Sequence, residues 1–121
     1  KPYLVDSVEN YEGTVIKEYS PKKSCTIMSD TEAETLKELM RAAVTEGTAS
    51  KLFTSTYTAY GKTGSAEFND EKGKSHSWFT GFAEANGKTV VATIIVEGAG
   101  SGSEYAVPIA GKLFSEYFTN E

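Results

Sequence analysis

The segment YGKTGSAE, residues 60–67, is the stretch from which the fold and the candidate site can be worked out. It closes a strand-like run and brings a cation, hydroxyl groups and glycines into one short segment. Because alternate side chains of a β-strand point to opposite faces, Lys62 and Gly64 share one face. Thr63 and Ser65 share the other face, yet strand twist at a sheet edge can still bring Lys62, Thr63 and Ser65 to one anion. Gly64 has no side chain, so a ligand can approach the backbone there. The segment therefore predicts a strand that binds a carboxylate.

The same residues suggest a second reading, a phosphate-binding loop. Gly61-Lys62-Thr63 matches the end of that motif, which also needs a glycine five residues before Gly61. Position 56 is a threonine, so the loop that would hold phosphate groups is absent. Nucleotide binding is therefore not expected.

Composition limits the classes of function. The chain has 121 residues, 39% of them hydrophobic and 12% aromatic, which indicates one globular domain with a modest core. The formal net charge is −5 and the basic residues are scattered, so nucleic acid is not an expected partner. No apolar run is long enough for a membrane span and no signal peptide opens the chain, so a membrane anchor would have to lie upstream.

The lone cysteine and the lone histidine do not indicate a reactive or metal site. Cys25 has no second cysteine for a disulfide and no evident base, so it is predicted to be a small packing residue. His76 could act as a general base, but it is predicted to form a hydrogen bond within the sheet. One histidine and one cysteine make no ligand cluster, and neither a metal nor a cofactor is expected.

The first third of the chain predicts a β-hairpin and a helix. Residues 1–22 contain two β-rich runs joined by turn chemistry at 10–13. Ser20 and Lys23 match a Ser-x-x-Lys nucleophile pattern, but Pro21 disfavours the helical conformation that this pattern needs, so Ser20 is rejected.

The helix is predicted over residues 30–47. Thr31 and Glu34 form a predicted capping box at its start, and Gly47 is a suitable stop. The apolar residues that recur at helical spacing are predicted to face the core: Leu36, Leu39, Met40, Ala43 and Val44.

Three antiparallel strands are predicted over residues 56–97, followed by a closing helix over 103–118. Asn86-Gly87 predicts a tight hairpin turn between the second and third strands. The third strand, 88–97, lacks clean alternation and is expected to be covered on both faces. Residues 98–102 are glycine-rich and are expected to form a flexible connection, since the third glycine of a dinucleotide fingerprint is missing. The apolar residues of the closing helix are expected to pack on the sheet: Val107, Ile109, Ala110, Leu113, Phe114 and Tyr117. The fold class is therefore α+β.

The Lys62-Thr63-Gly64 triplet belongs to the motif set of penicillin-binding proteins and serine β-lactamases. Gly47-Thr48-Ala49 precedes it, Ser75–Phe82 follows it, and Pro108-Ile109-Ala110 lies in the last segment. In this order and spacing the chain resembles the end of the transpeptidase domain of class B penicillin-binding proteins. The opening residues 1–5 also resemble that domain, so the resemblance covers essentially the whole chain.

The resemblance implies a D,D-transpeptidase that cross-links peptidoglycan stem peptides by acyl transfer and is acylated by β-lactams. Lys62 would supply positive potential, and Thr63 matches the middle position of the motif. Gly64 would keep the strand open to the ligand. Ser65 would offer its hydroxyl to the substrate carboxylate and its backbone N–H to the oxyanion hole.

The family's Ser-x-x-Lys and Ser-x-Asn motifs are upstream elements, and no credible copy of either is present. Residues 1–121 are therefore expected to be the C-terminal portion of a single transpeptidase domain, inactive alone and partnered by the N-terminal part of that domain. The resemblance places the parent protein on the extracytoplasmic face of the bacterial membrane. Since the family's sheet has five strands, strand 88–97 is expected to self-associate through its edge or to recruit residues 3–19. Two alternatives remain: the same piece of a β-lactam sensor or β-lactamase, and a non-catalytic structural domain of this fold.

Overall fold

The computed structural model describes residues 4–20, 25–68 and 74–120. The chain divides into two compact units, Lys1–Glu32 and Ala33–Glu121. Each unit is described by itself.

The first unit contains a β-hairpin, as the sequence predicts. Strand β1 (Ser7–Glu9) pairs antiparallel with strand β2 (Val15–Glu18). The side-chain oxygen of Asn10 accepts the N–H of Thr14 at 2.9 Å, and Gly13 has a φ of 81°, a conformation that favours glycine. The paired residues lie between Ser7 and Glu18, so the hairpin is shorter than the predicted range of residues 1–22.

Cys25 does not pack in a core, contrary to the prediction. It is exposed. No described residue of the first unit is buried, so a small apolar side chain finds no interior there. Ser20 lies outside any helix, while the Pro21–Lys23 part of the rejected nucleophile pattern falls outside the described residues.

Helix α1 (Asp30–Thr45) begins earlier than its predicted cap. The Ser29 hydroxyl accepts the N–H of Glu32 at 3.3 Å, and the Glu32 carboxylate accepts the backbone N–H of Ser29 at 2.7 Å. This is a reciprocal capping box two residues before the predicted Thr31–Glu34 pair, which is therefore wrong. Thr31 already lies inside the helix, where it cannot serve as the N-cap.

The face of α1 that meets the sheet carries two cations in addition to Val44, which is buried as predicted. Lys37 forms an ion pair of 3.0 Å with Glu84, and the Arg41 guanidinium donates to the carbonyl of Ala59 at 2.9 Å. By contrast, Leu36 and Leu39, predicted to be core, are 45% and 65% exposed. The long aliphatic stems of lysine and arginine can cover a strand while their charged ends reach polar partners, which explains the reversal.

The second unit contains one three-stranded antiparallel sheet. Its strands are β3 (Thr58–Glu67), β4 (Ser75–Ala85) and β5 (Lys88–Val96), in the order β3-β4-β5. The predicted Asn86-Gly87 turn is confirmed, with φ angles of 52° and 73°. In the described part of the chain β3 and β5 are therefore the two edges of this sheet.

Only one face of β5 is covered. We call the sheet face that carries buried Phe79 the inner face and the opposite one the outer face. Ala92 on the inner face is 6% exposed, whereas Val91 on the outer face is 74% exposed. The expectation of cover on both faces is therefore wrong for the described residues. The hairpin of the first unit forms a two-stranded sheet of its own.

Helix α2 (Ala106–Thr119) packs on the inner face, as predicted. Ile109, Leu113 and Tyr117 are 36–44% exposed and do not join the core, contrary to the prediction. The buried face of α2 consists of Ala106, Val107, Ala110, Phe114 and Phe118. Within the core, Tyr57 contacts the rings of Phe114 and Phe118, each with a centroid separation of 5.8 Å.

The connection before α2 is held in place and is not a free linker. Gly100 donates its N–H to the carbonyl of Ser75 at 2.9 Å, and the Ser77 hydroxyl donates to the carbonyl of Ser101 at 2.9 Å. Gly98 and Gly100 have positive φ angles of 62° and 103°, so glycine is needed for this path. The predicted flexible connection is therefore corrected to a tethered loop. No helix within the described ranges is long and apolar enough to cross a membrane.

Candidate functional site

The backbone of β3 offers its polar groups along the open edge of the sheet. The Arg41 guanidinium donates to the carbonyl of Ala59 at 2.9 Å, and the Lys62 ammonium donates to the carbonyl of Thr63 at 2.6 Å. In an antiparallel strand the N–H and C=O of one residue point the same way, and this direction alternates along the strand. The β3–β4 register has no irregularity from Thr58 to Glu67. The N–H and C=O of Ser65 therefore point to the same edge as the carbonyls of Ala59 and Thr63.

Lys62 carries its charge at this edge. Its side chain is exposed, and its cross-strand neighbour on the outer face is Thr80. The ion pair of the helix–sheet contact joins Lys37 to Glu84 and does not involve Lys62. The exposed ammonium of Lys62 can therefore attract an anionic ligand. Its hydrogen bond to the carbonyl of Thr63 keeps the ammonium near the motif backbone.

Thr63 is joined to a residue that the sequence reading did not assign to the site. The side-chain oxygens of Thr48 and Thr63 are 2.6 Å apart, which is a short hydrogen bond between hydroxyls. Thr48 is exposed and Thr63 is half-buried. The Gly47-Thr48-Ala49 triplet can be recognised in the sequence, but the sequence alone does not predict that it contacts the middle of β3.

Ser65 and Gly64 contact the tethered loop. The N–H of Gly102 lies 3.4 Å from the hydroxyl oxygen of Ser65. A Cβ on Gly102 would lie 2.6 Å from the carbonyl of Gly64 and 2.5 Å from that of Trp78. Only glycine lets this loop approach the two strands so closely. Gly102 is therefore a second residue of the site region that the motif reading missed.

The structure brings the predicted site residues to one edge but leaves them on two faces. Lys62 and Gly64 lie on the outer face, and Thr63 and Ser65 on the inner face, as strand alternation predicts. Lys62 and Ser65 are exposed, while Thr63 and Gly64 are half-buried. A ligand at the open edge of β3 can thus reach the Lys62 ammonium, the hydroxyls of Thr63 and Ser65, and the backbone N–H of Ser65. That they meet at one anion stays a prediction.

A groove of about 500 Å³ lies between α1 and β3, away from the motif. Its wall includes Lys37, Arg41 and Tyr60. The rings of Tyr60 and Phe82 stack at 4.5 Å, and the Lys37 ammonium lies 5.0 Å from the centre of the Tyr60 ring. The hydrogen bond to Glu84 raises the pKa of Lys37 above its usual value, so this cation is committed to the helix–sheet contact.

His76 has a structural place in the sheet, in agreement with its predicted role. Its Nδ1 accepts the N–H of Gly98 at 3.1 Å, and the ring of Phe68 stacks on it at 4.3 Å. Among residues 4–20, 25–68 and 74–120, no group of three or more histidine, cysteine or acidic side chains could hold a metal ion.

Comparisons with known proteins agree with this architecture. Residues 1–115 match the family model "Penicillin binding protein transpeptidase domain". The D,D-transpeptidase domain of a peptidoglycan glycosyltransferase from Eggerthella lenta is similar in structure. It has a TM-score of 0.71 and 31% identity, and the match covers 99% of this chain and 28% of that one.

Two further relatives have related names. Penicillin-binding protein A from Mycobacterium tuberculosis, solved as a ceftriaxone acyl-enzyme complex, has a TM-score of 0.70 and 27% identity over 94% of this chain and 27% of its own. The peptidoglycan D,D-transpeptidase MrdA of Haemophilus influenzae is 41% identical over 46 residues. That match covers 38% of this chain and 7% of MrdA, so the chain spans only a small part of these relatives.

Proposed function

This chain belongs to the penicillin-binding protein transpeptidase family, and we propose that it forms one wall of the acyl-transfer site of a peptidoglycan D,D-transpeptidase. The observation that carries the proposal is the open edge of β3, where the Ser65 backbone amide and the Lys62 ammonium are presented together. An edge of this kind can bind an extended peptide and its terminal carboxylate at the same time.

The chemistry would be a two-step acyl transfer. A serine hydroxyl attacks the carbonyl carbon of the D-Ala-D-Ala bond, the C–N bond breaks, and the departing D-alanine takes a proton as an ester forms. The amine of a second stem peptide then attacks that ester, and the serine leaves with a proton. The sequence holds no Ser-x-Asn, and Pro21 disfavours the helix that its one Ser-x-x-Lys match would need, so the nucleophile would come from another part of the domain.

The residues of β3 would bind and stabilise in both steps. The attacked carbonyl oxygen, which becomes negatively charged, would accept a hydrogen bond from the N–H of Ser65. A contact of this type is worth roughly 10²–10³ in rate in hydrolases. The substrate's terminal carboxylate would accept hydrogen bonds from Lys62, Thr63 and Ser65. Each charge-assisted bond contributes about 1.5–3 kcal/mol, and Gly64 leaves room for the ligand backbone.

The same edge would bind β-lactams, because their carboxylate and strained carbonyl have the same relation as those of the peptide. The ceftriaxone acyl-enzyme of the M. tuberculosis relative supports this extension. We place the protein on the extracytoplasmic face of a bacterial membrane, where stem peptides are cross-linked. Its partners are a stem peptide or β-lactam and the N-terminal part of the same domain.

A fluorescent penicillin tests the proposal. The complete domain should acquire one covalent label on its upstream serine, whereas this 121-residue chain alone should acquire none. In the complete domain, Lys62→Ala should slow acylation tenfold or more, since loss of about 1.4 kcal/mol corresponds to that factor. Lys112→Ala, which removes an exposed lysine of α2, is the matched control and should leave the rate unchanged. A label on Ser20, or an unchanged rate for Lys62→Ala, would contradict the assignment.

A further inference from the structure

The contact between Thr48 and Thr63 extends the site beyond the motif strand. Their side-chain oxygens are 2.6 Å apart, although the residues belong to different segments of the chain. We propose that Thr48 is a positioning residue, which holds the Thr63 hydroxyl so that its proton points towards the ligand carboxylate. This inference rests on the proposed function, because it assumes that Thr63 meets a carboxylate.

The direction of the hydrogen bond follows from a count of protons. Each hydroxyl has one proton to donate and two lone pairs to accept with. If Thr63 donates to an anion bound beside Lys62, it has no proton left for Thr48 and must accept the proton of Thr48. A hydroxyl that accepts one hydrogen bond becomes a better donor in the next. Thr48 therefore orients the hydroxyl of Thr63 and also makes it a stronger hydrogen-bond donor.

The backbone around Thr48 fixes its position. A Cβ on Gly47 would lie 2.9 Å from the Cα of Ala43, so a larger residue would push the chain away from α1. Ala49 is fully buried, and its N–H donates to the carbonyl of Ala43 at 2.9 Å. The neighbours of Thr48 are thus anchored on both sides, and its exposed side chain is held against the hydroxyl of Thr63.

Because the side chain of Thr48 is exposed, it contributes little to the packing of the core. Val44, Ala49 and Leu52 fill the interior beneath the segment and are each at most 1% exposed. Replacing the Thr48 hydroxyl with a methyl group therefore removes a hydrogen bond and leaves the packing of these residues in place. This makes Thr48→Val a clean probe of the hydroxyl.

The test measures acylation of the complete transpeptidase domain by a penicillin and by the methyl ester of that penicillin. Thr48→Val should slow acylation by the free acid about three- to tenfold, the effect of one hydrogen bond, and should leave the ester rate unchanged. Thr48→Ser, which keeps the hydroxyl, should restore the rate. In a Thr63→Val background, Thr48→Val should have no further effect, since its target is already absent.

Each other outcome has a distinct meaning. A wild-type rate for Thr48→Val, equal slowing of acid and ester, or additive effects of the two valine substitutions would overturn the positioning role and leave the proposed function standing. A wild-type domain that no penicillin acylates would overturn the proposed function, and this inference with it.

Discussion

The hydroxyl of Ser77 accepts the N–H of Ala106 at 3.0 Å, and in this way a sheet residue caps the first turn of α2. Ser77 is fully buried and also donates to the carbonyl of Ser101 at 2.9 Å. The N-cap residue of α2, Tyr105, forms no side-chain cap, so Ser77 takes over that task from β4. One hydroxyl therefore fixes the helix, the tethered loop and the strand next to the motif strand.

Ser77→Ala should destabilise the fold by about 1–3 kcal/mol, because it leaves the buried N–H of Ala106 without its partner and removes one of the hydrogen bonds to the carbonyl of Ser101. The free energy of unfolding from a denaturant titration measures the loss. Ser115→Ala, on the exposed side of α2, is the matched control and should stay within about 0.5 kcal/mol of the wild type. If both variants were equally stable, Ser77 would not be the cap described here.

Gly102→Ala should cost about 1–3 kcal/mol and should also slow acylation of the complete domain. The added Cβ would meet the backbone of Trp78 and Gly64 at 2.5 and 2.6 Å, and backbone atoms cannot move aside cheaply. Gly87→Ala is a useful comparison, because it meets nothing within 4 Å and adds only the strain of a φ of 73°. It should lower stability without changing the acylation rate per folded molecule. A Gly102→Ala domain that is acylated at the wild-type rate would show that the loop does not support Gly64.

The capping box of α1 should make stability depend on acidity. The backbone N–H of Ser29, and then its hydroxyl, hold the pKa of Glu32 below its ordinary value of 4.5. A lowered pKa contributes stability above that ordinary value, and this contribution is lost as the pH falls from about 5 through the lowered pKa. Glu32→Gln should therefore be less stable than the wild type at neutral pH, and the difference should shrink in acid. Unfolding midpoints from pH 7 to about 3 measure it.

Glu34→Gln serves as the control for this pH dependence, since it lies on the same helix outside the Ser29 contact. It should keep the wild-type slope of stability against pH. A Glu32→Gln variant that loses as much stability in acid as the wild type would contradict the role of the capping box.

The open edge of β5 should cause this chain to self-associate. Val91 and Ile95 are 74% and 45% exposed, and edge strands with apolar side chains pair with other copies. Light scattering should rise with concentration, and Val91→Lys should suppress the rise by placing a charge on the outer face. Thr119→Lys adds the same charge at the end of α2 and should have no such effect. A monomer at every concentration, with freely exchanging amides over 90–96, would contradict this prediction.

The order and type of the elements could be predicted because local patterns determine them. The Asn86-Gly87 turn and the alternation through the motif strand are short-range features, and the structure confirms them. Which side of a helix packs is a different question. In α2 two stripes repeat every fourth residue, and the buried one carries Ala106 and Ala110, whose small side chains let the helix approach the sheet. Periodicity finds both stripes but cannot choose between them.

The candidate site likewise combines a feature that local sequence predicts with contacts that it does not predict. The Lys62-Thr63-Gly64 strand could be recognised from the sequence, and its position at a sheet edge is as expected. The contacts of Thr63 with Thr48 and of Ser65 with Gly102 join distant segments, over separations of 15 and 37 residues. Such contacts depend on how the chain returns to the sheet, which no local pattern contains. They could only be found in three dimensions.

The two-residue turn between β4 and β5 has a consequence for the order of folding. Closing so short a loop costs little chain entropy, and hairpins of this kind form in about 1–10 μs. Residues 68–74 separate β3 from β4, so the first pairing is favoured between β4 and β5. The β4–β5 ribbon would then act as the template on which β3 docks late. A substitution that disrupts the Asn86-Gly87 turn, remote from the ligand, would therefore slow the docking of β3 and the formation of the binding edge that carries Lys62.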